Sequence, residues 1–175
     1  MGELILYIGG AKSGKTKAAL AKASTFPPPR LYLATAQGLD EEMLSRIRAH
    51  QAERGPEWHT LEVPFEPAAA VRTLTGRCPV LLDCVTLWFS NLLGKNANLA
   101  LNLSYFAIKI EELIKASREY PGPLIVVSNE LGGGIVPMDP VTRLYRDAVG
   151  QAHQLLAAAA DSVFLVVAGI PLRLK

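Results

Sequence analysis

Short, unbroken apolar runs alternate with helical periodicity along almost the whole sequence. Leu4–Ile8 (LILYI) predicts a strand that stops at Gly9-Gly10. The helix pattern KTKAALAKAS follows and ends at Pro27-Pro28-Pro29, because proline lacks the amide a helix needs. Leu31–Ala36 (LYLATA) predicts a second strand. Asp40–Arg54 (DEEMLSRIRAHQAER) predicts a helix capped by Asp40, with acids in its first turn and arginines in its last, as the helix dipole favours. Thr60–Phe65 (TLEVPF) predicts a weaker strand, which Pro64 demotes to a sheet edge. Pro79–Trp88 (PVLLDCVTLW) and Leu124–Glu130 (LIVVSNE) predict strong buried strands, and Val163–Ile170 (VFLVVAGI) predicts a closing one. Leu103–Tyr120 and Val141–Ala160 carry long helical patterns, Gly94–Asn102 reads as a flexible insertion, and no internal repeat is present.

Continuous Val/Ile/Leu strands imply that both faces of the sheet are covered, which points to a mostly parallel sheet flanked by helices. Strand–helix alternation leads independently to the same α/β, three-layer architecture. Ligands of such sheets bind beyond the carboxyl ends of the strands. The informative residues should therefore follow each apolar run.

Composition narrows the class. At 175 residues, half of them hydrophobic and 19% charged, the chain predicts one globular domain over residues 1–175. A net charge of +2 and scattered basic residues, apart from Arg46, Arg48 and Arg54, argue against nucleic acid as a partner. Cys78 and Cys84 suit reduced thiols better than a disulfide scaffold, and they make a poor zinc site. No signal peptide and no membrane-spanning run is recognisable, so the sequence predicts a soluble, cytoplasmic protein.

The chemistry begins after the first strand. Gly9-Gly10-Ala11-Lys12-Ser13-Gly14-Lys15-Thr16 fits G-x-x-x-x-G-K-[ST] at every fixed position, between a strand and a helix. Glycines let the backbone wrap phosphate oxygens, and the helix start adds its positive end. Lys15 can reach the terminal phosphates and the Thr16 hydroxyl can ligate Mg²⁺. VLLD, ending in Asp83, supplies the acidic strand end that a Mg²⁺-nucleotide site needs; the competing reading is that Asp83 caps the following turn. Together these predict a P-loop NTPase of the RecA-like type. The absence of Asn-Lys-x-Asp or Thr-Lys-x-Asp disfavours a switch GTPase.

Several rarer strings narrow the reading: YLATAQ with DEEM following, RIRAHQAER, LLDCVTLWFSNLL, VSNELGGGIVP, YRDAVGQAHQLLAAAAD and LVVAGIPLRLK. In this order they resemble, over nearly the whole chain, the bifunctional adenosylcobinamide kinase/adenosylcobinamide-phosphate guanylyltransferase family of cobalamin biosynthesis. The resemblance implies phosphorylation of the adenosylcobinamide hydroxyl. Transfer of GMP from GTP to that phosphate follows through a GMP-histidine, with GTP and ATP as nucleotides and Mg²⁺ as cofactor. The nucleophile of the family's RI..H helix falls on His50, and Ala49 precedes it here. Imidazole is largely neutral at cytoplasmic pH and is a competent nucleophile toward the α-phosphorus. On helical spacing alone, Met43, Ile47, His50 and Arg54 form one stripe, and a histidine on such a stripe is more often structural.

The same resemblance implies that Thr35, Ala36 and Gln37 border the nucleotide and that Gln51, Ala52, Glu53 and Arg54 form a guanosine-contacting turn, Arg54 being able to pair with phosphate. It gives Glu62 a nucleotide contact, although an exposed edge-strand charge explains that residue as well. Asp83 stands where some relatives have glutamate. Asn129 and Glu130 are candidates for corrinoid-side or catalytic groups, with a mobile glycine loop after them. Arg143, Arg146 and Asp147 are candidates for a subunit interface of a homo-oligomer, commonly a trimer. His59 and His153 read as structural; the family more often has asparagine at the second. Two other functions fit the phosphate motif alone: a single-activity small-molecule kinase, and a nucleotide-dependent regulatory module.

Overall fold

The computed structural model describes residues 2–52, 54–95 and 103–175. Residues 96–102, most of the expected insertion, and Glu53 lie outside them. Seven strands form one sheet in the order β3-β2-β4-β5-β1-β6-β7. They are β1 (Leu4–Gly9), β2 (Arg30–Ala34), β3 (Trp58–Glu62), β4 (Val80–Asp83), β5 (Leu124–Asn129), β6 (Ser162–Val167) and β7 (Ile170–Arg173). All pairings are parallel except β6 with β7. Six helices connect them: α1 (Lys15–Ala23), α2 (Glu41–Ala52), α3 (Pro67–Thr73), α4 (Val85–Lys95), α5 (Leu103–Glu119) and α6 (Pro140–Ala159).

Alternate residues of the central strands feed two cores, which is why their apolar runs are continuous. On β1, Leu4 and Leu6 join a cluster with α3, α4, α5 and α6 that includes Trp88, Phe89 and Phe106. Ile5 and Tyr7 join a second cluster with Ala19 and Ala23 of α1. Each fully buried large apolar side chain stabilises the fold by about 1.5–3 kcal/mol. Helix α2 is different: none of its residues is fully buried, and Met43, Leu44 and Ile47 are only half-covered.

Three expectations change. The run Pro79–Trp88 is not one strand: β4 stops at Asp83 and α4 starts at Val85. The buried residues Val85, Thr86, Trp88, Phe89 and Leu92 recur at helical spacing, so both elements bury an apolar run and only the period separates them. The closing run Val163–Ile170 is a hairpin, because Ala168 and Gly169 adopt positive φ of 50° and 81°, the condition for a tight two-residue turn. Helix α3 was not expected; Pro67 sits in its first turn, where a missing amide is harmless. The weak strand at Thr60–Phe65 begins and ends earlier, at Trp58–Glu62, so Pro64 falls past its end, yet the strand lies at the sheet edge as expected.

Register aligns the informative residues. Gly9 pairs with Asn129, Asp83 with Ala34, and Ala34 with Glu62. The carboxyl ends of five adjacent strands thus open on one rim.

Candidate active site

The Gly9–Thr16 loop joins β1 to α1 on that rim. Gly9 is required sterically: a Cβ there would stand 2.5 Å from Ser13 Oγ and 2.6 Å from the Val166 carbonyl oxygen. Gly14 takes φ 90° at the helix start, and no side chain caps the first amides of α1. They are left facing the loop, where an anion is favoured. The Ser13 Oγ atom is buried with no hydrogen-bond partner among the described residues, another unused donor in the loop. Lys15 is buried, and its Nζ donates to the Gly10 carbonyl at 3.0 Å. Burial lowers its pKa, and the nearby Cys84 and Asp83 oppose that shift.

Asp83 ends β4 opposite the loop. Its Oδ2 accepts from Thr16 Oγ1 at 2.8 Å and from the Tyr32 hydroxyl at 2.9 Å. The turn after it is fixed by Thr35, whose hydroxyl accepts from the Cys84 amide at 2.7 Å and donates to the Cys84 carbonyl at 2.8 Å. The Asp83–Cys84 peptide is cis. Burial, with Asp83 adding to it, pushes the Cys84 thiol up to about 11, so it stays protonated at neutral pH.

The opposite wall is α2. Asp40 Oδ1 accepts from the Met43 amide at 2.7 Å, as expected of a cap. Met43, Ile47, His50 and Arg54 line the same cleft as Lys12–Thr16 and Asp83, a space of about 1100 Å³. The helix stripe and the phosphate loop therefore open on one space. Arg54 lies just past α2, its guanidinium 3.7 Å from the centre of the Tyr32 ring, and it donates to Thr60 Oγ1 at 3.3 Å. Among the described residues, Lys12, Lys15, Lys17, Arg46, Arg48 and Arg54 line the cleft against only Glu62 and Asp83 of the acids. That balance favours a polyanionic ligand.

Of the residues singled out in the sequence, Ala11, Lys12, Ser13, Gly14, Lys15, Thr16, Ala36, Gln37, His50, Gln51, Arg54, Glu62 and Asp83 all line this one cleft. Gly9 and Gly10 shape the loop from behind. Thr35 is fully buried and bonds Cys84, so it braces the Asp83 turn and does not border the cleft. Ala52 is exposed and off the lining, and Glu53 lies outside the described residues. Asn129 lines the cleft and donates to Thr86 Oγ1 at 2.8 Å. Glu130 instead folds back to accept from the amides of Gly132 and Gly133. Arg143 and Arg146 donate to carbonyls of Pro137, Met138 and Ile135 in their own chain. His153 bonds Ser128 Oγ at 2.8 Å, and His59 is exposed on β3. Tyr32 is the residue that sequence reasoning missed. A tyrosine inside an apolar strand needs a partner for its hydroxyl, and the neighbouring strand ends in an acid.

Comparison with known proteins now decides the class. The model of the family described as cobinamide kinase / cobinamide phosphate guanyltransferase matches residues 5–174. The chain belongs to this family. A bifunctional adenosylcobalamin biosynthesis protein CobP of Pseudomonas aeruginosa is 41% identical over 97% of this chain and 96% of its own. The bifunctional adenosylcobalamin biosynthesis protein CobU of Salmonella typhimurium is 38% identical, over 98% of this chain and 99% of its own. Among solved structures, the RadB recombinase aligns with 94% of this chain and 74% of its own, with a TM-score of 0.53 at 16% identity. That likeness speaks for the RecA-like P-loop fold alone, with the cobinamide kinase family's loop on its sheet rim.

Proposed function

We propose that this chain, acting as one nucleotide-binding domain, phosphorylates adenosylcobinamide with ATP or GTP. It then transfers GMP from GTP to the adenosylcobinamide phosphate through a GMP-His50 intermediate. The observation that carries the reading is that His50 and the phosphate loop line one and the same cationic cleft.

Lys15 and the loop amides hold the β and γ phosphates. In the kinase step the corrinoid hydroxyl attacks the γ-phosphorus and the nucleoside diphosphate leaves. In the second reaction an imidazole nitrogen lone pair of His50 attacks the α-phosphorus, and the bond to the β-phosphate oxygen breaks. Pyrophosphate departs with that electron pair, and the ring gives up its N–H proton. A phosphate oxygen of adenosylcobinamide phosphate then attacks the same phosphorus, the P–N bond breaks with its electron pair going to the ring, and a proton taken back from solvent restores neutral His50. Lys12, Lys15 and Arg54 offset the charge that gathers on the departing pyrophosphate.

A hydroxyl and a carboxylate 2.8 Å apart at the loop fit Mg²⁺ held jointly with phosphate oxygens, so Thr16 and Asp83 would hold it. Bound there, the ion would neutralise charge shared between adjacent phosphates. Gln51 and Glu62, which line the same cleft, are assigned to the nucleoside. Asn129 is assigned to the corrinoid side. The reading includes a cytoplasmic homo-oligomer, trimeric as in the family, and among the described residues no helix is long and apolar enough to cross a membrane.

The test is covalent labelling. Protein incubated with α-labelled GTP should keep acid-labile, alkali-stable label, and His50→Ala should keep none while retaining kinase turnover. An unlabelled wild type with kinase activity would leave the single-activity kinase, with His50 structural.

A further inference from the structure

The cleft has two walls, and one residue assigned no role so far touches both. Tyr32 lies on β2, between β3 and β4, with Thr60 and Leu81 as its register partners. It is only 5% exposed, yet it lines the cleft. Its hydroxyl donates to the same Asp83 oxygen that Thr16 uses. Its ring face carries the Arg54 guanidinium, and the Trp58 ring meets it edge-on at 6.3 Å. Arg54's other bond goes to Thr60, Tyr32's neighbour across the strand pair.

We propose that Tyr32 is a shared positioning residue, its hydroxyl orienting Asp83 toward the metal side of the phosphate site and its ring seating Arg54. Three features support more than a satisfied core hydroxyl. The two donors converge on one oxygen, so the carboxylate is held from the phosphate loop and from β2 together. Fixing a carboxylate through such outer partners governs metal affinity more than folding. Helix α2 has no fully buried residue, so the stack of Arg54 on Tyr32 gives the wall bearing His50 a seat on the sheet. The edge-on Trp58 ring packs the Tyr32 ring in place between the two contacts.

This inference rests on the Mg²⁺-nucleotide reading of the cleft, and calorimetric titration with GTP separates the two. Wild type, Tyr32→Phe and Tyr32→Leu are titrated in excess Mg²⁺ and in EDTA. Tyr32→Phe keeps the ring and should lose about tenfold of the affinity gained from Mg²⁺, with the EDTA value within about twofold of wild type. Tyr32→Leu should also weaken binding in EDTA, because Arg54 loses its seat. In an Asp83→Asn background, Tyr32→Phe should add no further Mg²⁺-dependent loss, which keeps the test informative if folding itself is weakened. Equal weakening with and without Mg²⁺, or none, overturns the inference alone. A wild type that gains nothing from Mg²⁺ overturns the underlying reading and this inference with it.

Discussion

Thr16 Oγ1 stands 2.8 Å from Asp83 Oδ2, although 67 positions separate the two residues. This contact joins the start of α1 to the end of β4 and leaves oxygen ligands of two kinds beside the phosphate loop. Asp83→Asn keeps the size and replaces an anionic acceptor by an amide. Kinase turnover should fall by roughly a hundredfold, in line with losing charge stabilisation at a developing anion. GTP affinity in EDTA should hold. A coupled assay for nucleoside diphosphate release checks this, and undiminished turnover would refute the assignment.

Gly9→Ala should disable the loop. The new methyl would meet the Val166 carbonyl oxygen at 2.6 Å, and that carbonyl belongs to the strand paired with β1. Overpacking of this kind costs about 1–3 kcal/mol. Gly10→Ala is the control, because nothing lies within 4 Å of its Cβ. Urea midpoints should therefore drop for the first variant and stay near wild type for the second.

Stability should depend on pH through His153. Burial lowers its pKa from the ordinary 6.5, and Glu130 opposes the shift. Below 6.5 the unfolded chain binds the proton first, so its binding exceeds that of the fold and stability rises with pH. The contribution is fully present above 6.5 and is lost as pH falls from there toward the folded value. His153→Asn should lose less stability than wild type between pH 7.5 and 5.0 in urea melts. Parallel losses in the two proteins would exclude His153 as the source.

Arg30 should matter to the fold and not to the chemistry. Its guanidinium donates to the carbonyls of Ala23, Ser24 and Phe26 and pairs with Glu57 at 3.0 Å, closing the end of α1. The residue is 7% exposed, so Arg30→Met removes a buried guanidinium's bonds to one buried and two partly buried carbonyls and its pairing with Glu57. A loss of about 2–4 kcal/mol is expected in denaturant unfolding. GTP affinity at a temperature where the variant remains folded should be unchanged.

The reach of the sequence followed the strength of its physics. Leu4–Gly9 and the loop after it were readable because a buried strand, glycines at fixed spacing and a helix start agree with one another. The stripe Met43, Ile47, His50 was readable as a face, and the structure turns that face into the cleft. Val85–Trp88 was misread as strand because four residues continuing the apolar run of β4 are too short a window to show the helical spacing that Phe89 and Leu92 complete. Thr35 was misplaced because register alone does not reveal which way a short side chain bonds. Tyr32 escaped notice since its partners, Asp83 and Arg54, meet it only through strand order.

The turn between β6 and β7 has a consequence for synthesis. The Gly169 amide donates to the Ser13 carbonyl at 2.8 Å, and Gly169 packs against Gly14. A nascent chain that has already displayed Gly9–Thr16 still lacks the brace for that loop. The grip of the loop on a nucleotide should therefore tighten only after residues 162–173 have left the ribosome, so truncated products should carry the motif with a weakened hold.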